Sequence, residues 1–186
     1  YTMGQASIKV IGVGGGGSNA ANWLFKKGVK GAEIAVVNTD KQHIDMMDVE
    51  KKILIGKELT RGLGCGGFLE RGREAINENI QDIRTILRNT DMVFITAGMG
   101  GGTGTGAAPV VAQVAKEQGC IVIGVVTMPF SIEKARIDKA EFGLQQLRQV
   151  SDSVIVIDNN RLVSIAGNLP VEQAFAVANE LISTMI

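Results

Sequence analysis

The run Ala97-Gly98-Met99-Gly100-Gly101-Gly102-Thr103-Gly104-Thr105-Gly106 constrains the fold more than any other part of the chain. A loop with so little side chain presents mainly its backbone, and glycine admits the positive φ angles that turn successive N–H groups inward. The apolar residues Ala107 to Val114 that follow read as a helix, whose N-terminus adds partial positive charge to those amides. Upstream, Met92-Val93-Phe94-Ile95 has the character of a buried strand leading into the loop. Strand, glycine loop and helix in that order predict a phosphate-binding turn.

A second glycine loop repeats the arrangement. The β-branched run Ile8 to Val13 leads into Gly14-Gly15-Gly16-Gly17-Ser18-Asn19 and then a helix-like Ala20 to Lys27. Gly12-x-Gly14-x-x-Gly17 also satisfies the dinucleotide fingerprint, and Asp40 follows the next strand, Glu33 to Asn38, where such a protein places its ribose-binding acid. An NAD-binding oxidoreductase domain is therefore one reading of this half, although it gives the loop at 97–106 no role and shows no evident hydride-transfer site. A Walker loop is excluded, because no Gly-x-x-x-x-Gly-Lys-Ser/Thr occurs and neither loop contains lysine. Phosphate charge must then be met by amides, helix ends and a metal ion.

Further along, Lys52 to Ile55 is a short strand candidate. Glu70 to Arg88 reads as one helix on the spacing of Ile76, Ile80, Ile83 and Leu87. Cys120 to Val126 and Ser153 to Ile157 read as strands, and Lys134 to Val150 and Val171 to Ile186 as helices. Alternating strands and helices predict an α/β fold, Rossmann-like and doubly wound, with a mainly parallel sheet covered by helices on both faces. Right-handed crossovers bring the glycine loops to one edge of that sheet.

At 186 residues and 45% apolar composition, the chain can bury a core without disulfides. Nineteen basic residues balance nineteen acidic ones, which points away from nucleic acid and anionic membranes as partners. Cys65 and Cys120 are far apart and lack nearby histidine, which argues against zinc and suits a reducing compartment. With no signal-like segment or membrane-length apolar run, a cytoplasmic protein without direct membrane insertion is expected. His43, the sole histidine, is read as a surface-loop residue without a catalytic role.

With both loops in view, the chain resembles the tubulin/FtsZ family of GTPases. Gly100-Gly101-Gly102-Thr103-Gly104-Thr105-Gly106 corresponds to the family's signature loop, Gly14 to Asn19 to its first phosphate loop, and Asn38-Thr39-Asp40 to its second. Leu59-Thr60-Arg61-Gly62-Leu63-Gly64 corresponds to the approach to its third phosphate loop. Pro129-Phe130 with Glu133 and Arg136, and then Asn159-Asn160-Arg161-Leu162, correspond to its ribose-facing segments. The resemblance runs from about Ile8 to Ile186.

It implies a GTP/GDP site with Mg2+ held by phosphates and water rather than by a protein cluster. It assigns to that site Gly14, Gly15, Gly16, Asn19, Asn22, Asp40, Gly67, Gly98, Gly100, Gly101, Gly102, Thr103, Gly104, Thr105 and Gly106. The threonine hydroxyls add donors to the amides. Asn19 reads equally as a helix cap, and Asp40, near the γ-phosphate and its metal by resemblance, reads also as a turn aspartate. Pro129, Glu133 and Arg136 fall near the ribose, the last two reading alternatively as an i,i+3 ion pair. Asn159, Phe175 and Asn179 fall at the guanine; without the resemblance, Phe175 reads as a core residue.

Two departures stand out. Where the family's third loop commonly continues Gly-Gly-Asn-Pro-Glu, this chain has Gly66-Gly67-Phe68-Leu69-Glu70, and Cys65 in the same loop reads as a neutral small residue rather than a reactive thiol. Second, the family's water-positioning acids follow its central helix, here Val171 to Ile186, in a second domain. The expected organisation is an irregular lead-in over 1–6 and a GTP-binding domain over 7–186, with that second domain absent. Such a domain binds GTP or GDP without hydrolysing it alone; in the full-length protein, subunits polymerise through the nucleotide face and hydrolysis occurs at their interface. A noncatalytic assembly or regulatory module of the same fold is the remaining alternative.

Overall fold

The computed structural model describes residues 7–28, 31–66, 68–128 and 134–158, with the side chains of 134–136 and of 157 and 158 excepted. Six strands form one sheet in which every pairing is parallel: β1 (Ile8–Val13), β2 (Ala32–Asn38), β3 (Lys51–Leu54), β4 (Met92–Gly98), β5 (Ile121–Met128) and β6 (Ser153–Asp158). Their order is β3-β2-β1-β4-β5-β6, so the chain reverses its direction of sheet growth between β1 and β4. In sheets of this kind that reversal opens a crevice beyond the carboxyl ends of the strands. The expected fold class is the observed one.

Helices cover both faces because the strands alternate two apolar sets. Val10 and Phe94 point to one side, where Leu24 of α1 (Gly14–Lys27) packs on them, while Val36 packs with Ala21 of α1 and Ile44 of α2 (Lys41–Asp45). Ile11, Val13, Val93, Ile95 and Ala97 point to the other. There they meet α4 (Leu69–Glu78), α5 (Ile80–Ile86), α6 (Gly102–Glu117) and α7 (Lys134–Gln149). Such two-sided burial is what continuous β-branched runs specify. A short helix α3 (Lys57–Thr60) links β3 to the third loop.

Three helix boundaries differ most from the sequence reading. α1 begins at Gly14 and α6 at Gly102, so most of each glycine loop is the first turn of a helix. Glycine's low helix propensity hides this in the sequence, and packing overrides it. A Cβ on Gly17 would lie 2.2 Å from Thr96 O, and one on Gly106 would lie 1.9 Å from Leu69 O. Helix and strand, or helix and helix, touch there backbone to backbone. The third difference is a break in the helix expected over 70–88. Asn79 has φ −117° and ψ 24°, its Oδ1 accepts from Gly56 N (3.0 Å), and its Nδ2 donates to Asp82 (2.9 Å). The apolar period runs unbroken through that residue, but its amide is committed across to the end of β3. The helix expected over 171–186 lies outside the described residues, as does the lead-in over 1–6.

Candidate functional site

A cleft of about 390 Å³ opens at the carboxyl ends of β1, β2 and β4, where the strand order reverses. It is lined by Gly15 and Gly16 of α1, Asn38 to Asp40, His43 of α2, Leu63 to Gly66, and Gly98, Met99 and Gly101 to Gly104. The N-termini of α1 and α6 therefore meet in one place. In α6 the first backbone bond runs from Thr105 N to Gly101 O (3.2 Å), which leaves the amides of Gly102, Thr103 and Gly104 ahead of the helical ladder. Two helix N-termini, with unpaired amides and aligned dipoles, suit an anion carrying several charges. Another hollow, of about 440 Å³, is lined by Phe25, Gly28, Ala32 and Glu50 at the opposite end of the sheet. The carboxyl end of α1 there has the wrong partial charge for phosphate.

The cleft glycines are not all demanded by the protein. Cβ atoms built on Gly15 and Gly16 approach no atom closer than 3.5 Å, and one on Gly101 meets nothing within 4 Å, with φ an ordinary −81°. Side chains would fit in these three places and would occupy the cleft. Gly14 differs: a Cβ on it would lie 2.8 Å from Gly104 N, so the two glycine loops touch and form one floor.

The walls are held by side chains. Asp40 caps α2, its Oδ1 accepting from His43 N (3.1 Å), and it also lines the cleft. Thr39 and Thr103 share a hydroxyl hydrogen bond (2.8 Å), with Cys65 Sγ 3.5 and 3.3 Å from their oxygens. Three loops are thereby pinned together beneath the cleft, and Cys65 is buried among them. Lys41 N donates to Gly62 O (3.0 Å), which ties the third loop to the start of α2. Phe68 is the exposed N-cap residue of α4 and makes no side-chain cap bond, so the chain forgoes there the cap that an asparagine supplies.

Of the residues expected at the site, Gly15, Gly16, Asp40, Gly98, Gly101, Gly102, Thr103 and Gly104 come together in the cleft. Gly14, Gly100, Thr105 and Gly106 are not among its lining residues. Thr105 Oγ1 accepts from Gly100 N (2.7 Å), so this hydroxyl braces the loop, and Gly106 packs on α4. Asn19 is not a helix cap; it sits in the second turn of α1, and its Oδ1 bonds His43 Nε2 (2.9 Å). Asn22 is buried, with Oδ1 accepting from Asp48 N (2.6 Å) and Val49 N (3.1 Å) and Nδ2 donating to Asp48 (3.3 Å). That amide anchors the approach to β3 and is absent from the cleft lining. Lys26, with help from Asn22, holds the Asp48 carboxyl below its usual range. Arg136 lies in the first turn of α7, with its side chain outside the described residues. Gly67, Pro129, Glu133, Asn159, Phe175 and Asn179 also lie outside them.

The sequence reading missed His43, which lies on α2 rather than in a loop and lines the cleft. The available signal was its spacing of three from Asp40, the spacing of a helix cap and the amide it receives. Among the described residues no group of three His, Cys, Asp or Glu is placed to hold a metal ion, and no helix is long and apolar enough to cross a membrane.

Comparison with known proteins bears on this geometry. The sequence model of the tubulin/FtsZ family's GTPase domain matches residues 7–167. The chain is 53% identical over 184 residues to "Cell division protein FtsZ 2" of Methanocaldococcus jannaschii, covering 99% of this chain and 48% of that protein. It is 51% identical over 179 residues to "Cell division protein FtsZ 1" of Thermococcus kodakarensis, covering 96% and 48%. The chain thus spans about half the length of these relatives. Among solved structures, an empty FtsZ dimer from M. jannaschii superposes with a TM-score of 0.88 at 46% identity, covering 96% of this chain and 52% of that one. A GTPγS-bound protofilament of CetZ2 from Haloferax volcanii gives 0.81 at 26% identity, covering 96% and 56%.

Proposed function

We propose that this chain, which belongs to the tubulin/FtsZ family, binds GTP and GDP in the cleft between α1 and α6 as the nucleotide half of a cell-division GTPase. The observation that carries the reading is the set of three glycines, Gly15, Gly16 and Gly101, kept bare where the fold has room for side chains. Backbone amides of α1 and α6 take the phosphates, and Thr39, Thr103 and Cys65 hold the three loops in register. Guanine and ribose fall to Glu133, Arg136, Asn159, Phe175 and Asn179. A Mg2+ ion accompanying the nucleotide would be held by phosphates and water and would neutralise part of the phosphate charge; Asp40 is the one carboxylate among the described lining residues.

Phosphoryl transfer needs positioning and charge stabilisation more than covalent help from the protein. The cleft supplies both for the phosphates. Water-positioning acids come from a neighbouring copy, so that hydrolysis follows polymerisation through the nucleotide face, in the cytoplasm. The dimer and protofilament named among the structural relatives support that assembly.

Calorimetric titration of nucleotide-stripped protein with GDP, ADP and NAD in parallel tests the reading. Selective binding of GDP is expected. Preference for NAD would return the first glycine loop to the dinucleotide class, and a folded protein that binds none of the three would be a noncatalytic module of the same fold.

A further inference from the structure

His43 stands in the cleft wall between α1 and α2, its Cε1 3.5 Å from the place a Cβ on Gly15 would take. Both of its ring nitrogens are engaged, and their roles can be read from the neighbours. Asn38 Oδ1 accepts from Thr39 N (2.8 Å), which fixes the other end of that amide, Nδ2, as the group 3.0 Å from His43 Nδ1. An NH2 group only donates, so Nδ1 accepts and the ring proton sits on Nε2. Nε2–H then donates to Asn19 Oδ1, 2.9 Å away. The donors run in one direction from Thr39 N–H through Asn38 and His43 to Asn19, an arrangement in which each bond polarises the next.

The last link has a consequence for a residue expected at the nucleotide. With its oxygen turned to accept from His43, Asn19 presents its NH2 at the other end of the amide, and that group makes no hydrogen bond to the described residues. A nucleotide's phosphate and sugar present mostly oxygen acceptors, and an amide turned the other way would set oxygen against oxygen. We propose that His43 is a positioning residue for nucleotide binding: as the neutral Nε2–H tautomer it orients the Asn19 carboxamide so that Nδ2 faces the ligand as a donor. The inference rests on the guanine-nucleotide reading of the cleft. It also explains how a lone histidine can serve a phosphate site without carrying charge.

A double-mutant cycle on GDP affinity tests it, using the whole protein. His43→Leu is expected to weaken GDP about tenfold, the scale of one hydrogen bond to a charged partner. In an Asn19→Ala background the same change is expected to cost less than about twofold, because groups that act through one another do not add. His43→Gln, whose amide retains one acceptor and one donor, is expected to recover most of the loss. Long-range nitrogen–proton NMR of the free protein is expected to show Nε2 protonated and Nδ1 bare. Additive losses alongside normal GDP binding by the unmodified protein, or an Nδ1–H ring, would overturn this inference alone. Failure of the unmodified protein to bind GDP would overturn the functional reading and this one with it.

Discussion

Gly106 and Gly101 belong to one glycine run and look interchangeable in sequence, yet they answer to different constraints. At the seam where α4 crosses α6, a Cβ on Gly106 would sit 1.9 Å from Leu69 O, and one on Gly72 would sit 2.3 Å from Gly102 O. Those glycines let two helices approach until their backbones touch. At the cleft, Gly101 has open space beside it and an unremarkable φ, so nothing among the described residues forbids a side chain. The difference teaches that a glycine-rich motif is two motifs overlaid, one that builds the floor and one that keeps the space above it clear.

The largest expected effect breaks the first kind. Gly106→Ala forces backbone against backbone and is expected to cost about 3 kcal/mol or more, near the upper end of overpacking. Urea unfolding measures it, and a midpoint equal to the parent's would refute the close-approach role. Gly101→Ala is expected to lower stability by less than about 1 kcal/mol, the cost of alanine at a helix N-cap. It is expected to weaken GDP about tenfold, roughly 1.4 kcal/mol. Loss of stability without loss of affinity at Gly101 would merge the two classes.

A third kind of glycine sharpens the contrast. Gly28 ends α1 at φ 76° with nothing within 4 Å of its would-be Cβ, so only backbone conformation demands it. Gly28→Ala is expected to cost about 1 kcal/mol, with asparagine milder, and nucleotide affinity should not move. The smallest effect lies outside the glycines. The Asp152 carboxylate is held below its usual range by Lys116 and by Val122 N–H (2.7 Å). Because the folded protein lowers that pKa, its contribution is complete above the ordinary aspartate range and fades as pH falls through the depressed value. Asp152→Asn is expected to cost less than about 1 kcal/mol at neutral pH, a solvent-screened effect, and to flatten the acid limb of the stability profile.

Much of the architecture was legible in the chain because parallel strands buried on both faces need β-branched runs such as Ile8 to Val13. The doubly wound sheet and the meeting of two glycine loops followed from that pattern and from the handedness of crossovers. Helix starts were not legible, since Gly14 and Gly102 become helical through contacts with residues distant in sequence. The interruption at Asn79 was hidden for the same reason, its partner Gly56 lying on another element. That Asp40 and the two glycine loops share one edge of the sheet follows from their places at the ends of parallel strands. Asn22 belongs to the site only by the family resemblance, and the partners its amide takes in this fold, Asp48 and Val49, lie on a segment 26 and 27 residues away that sequence does not bring beside it. His43 reads from its sequence neighbours as a surface-loop residue, while the groups that define it, Asn38 and Asn19, meet only in the folded chain.

The contact between Gly14 and Gly104 sets a limit on how the chain can vary. When two packed side chains clash after a substitution, a second change that shrinks the partner often restores the fit. Here a Cβ on Gly14 would meet Gly104 N at 2.8 Å, and no residue is smaller than glycine. A genetic selection for suppressors of Gly14→Ala should therefore never return a change at Gly104; any suppressor must move α1 or α6 as a whole. Two positions ninety residues apart in the chain are, for the purpose of inheritance, a single site.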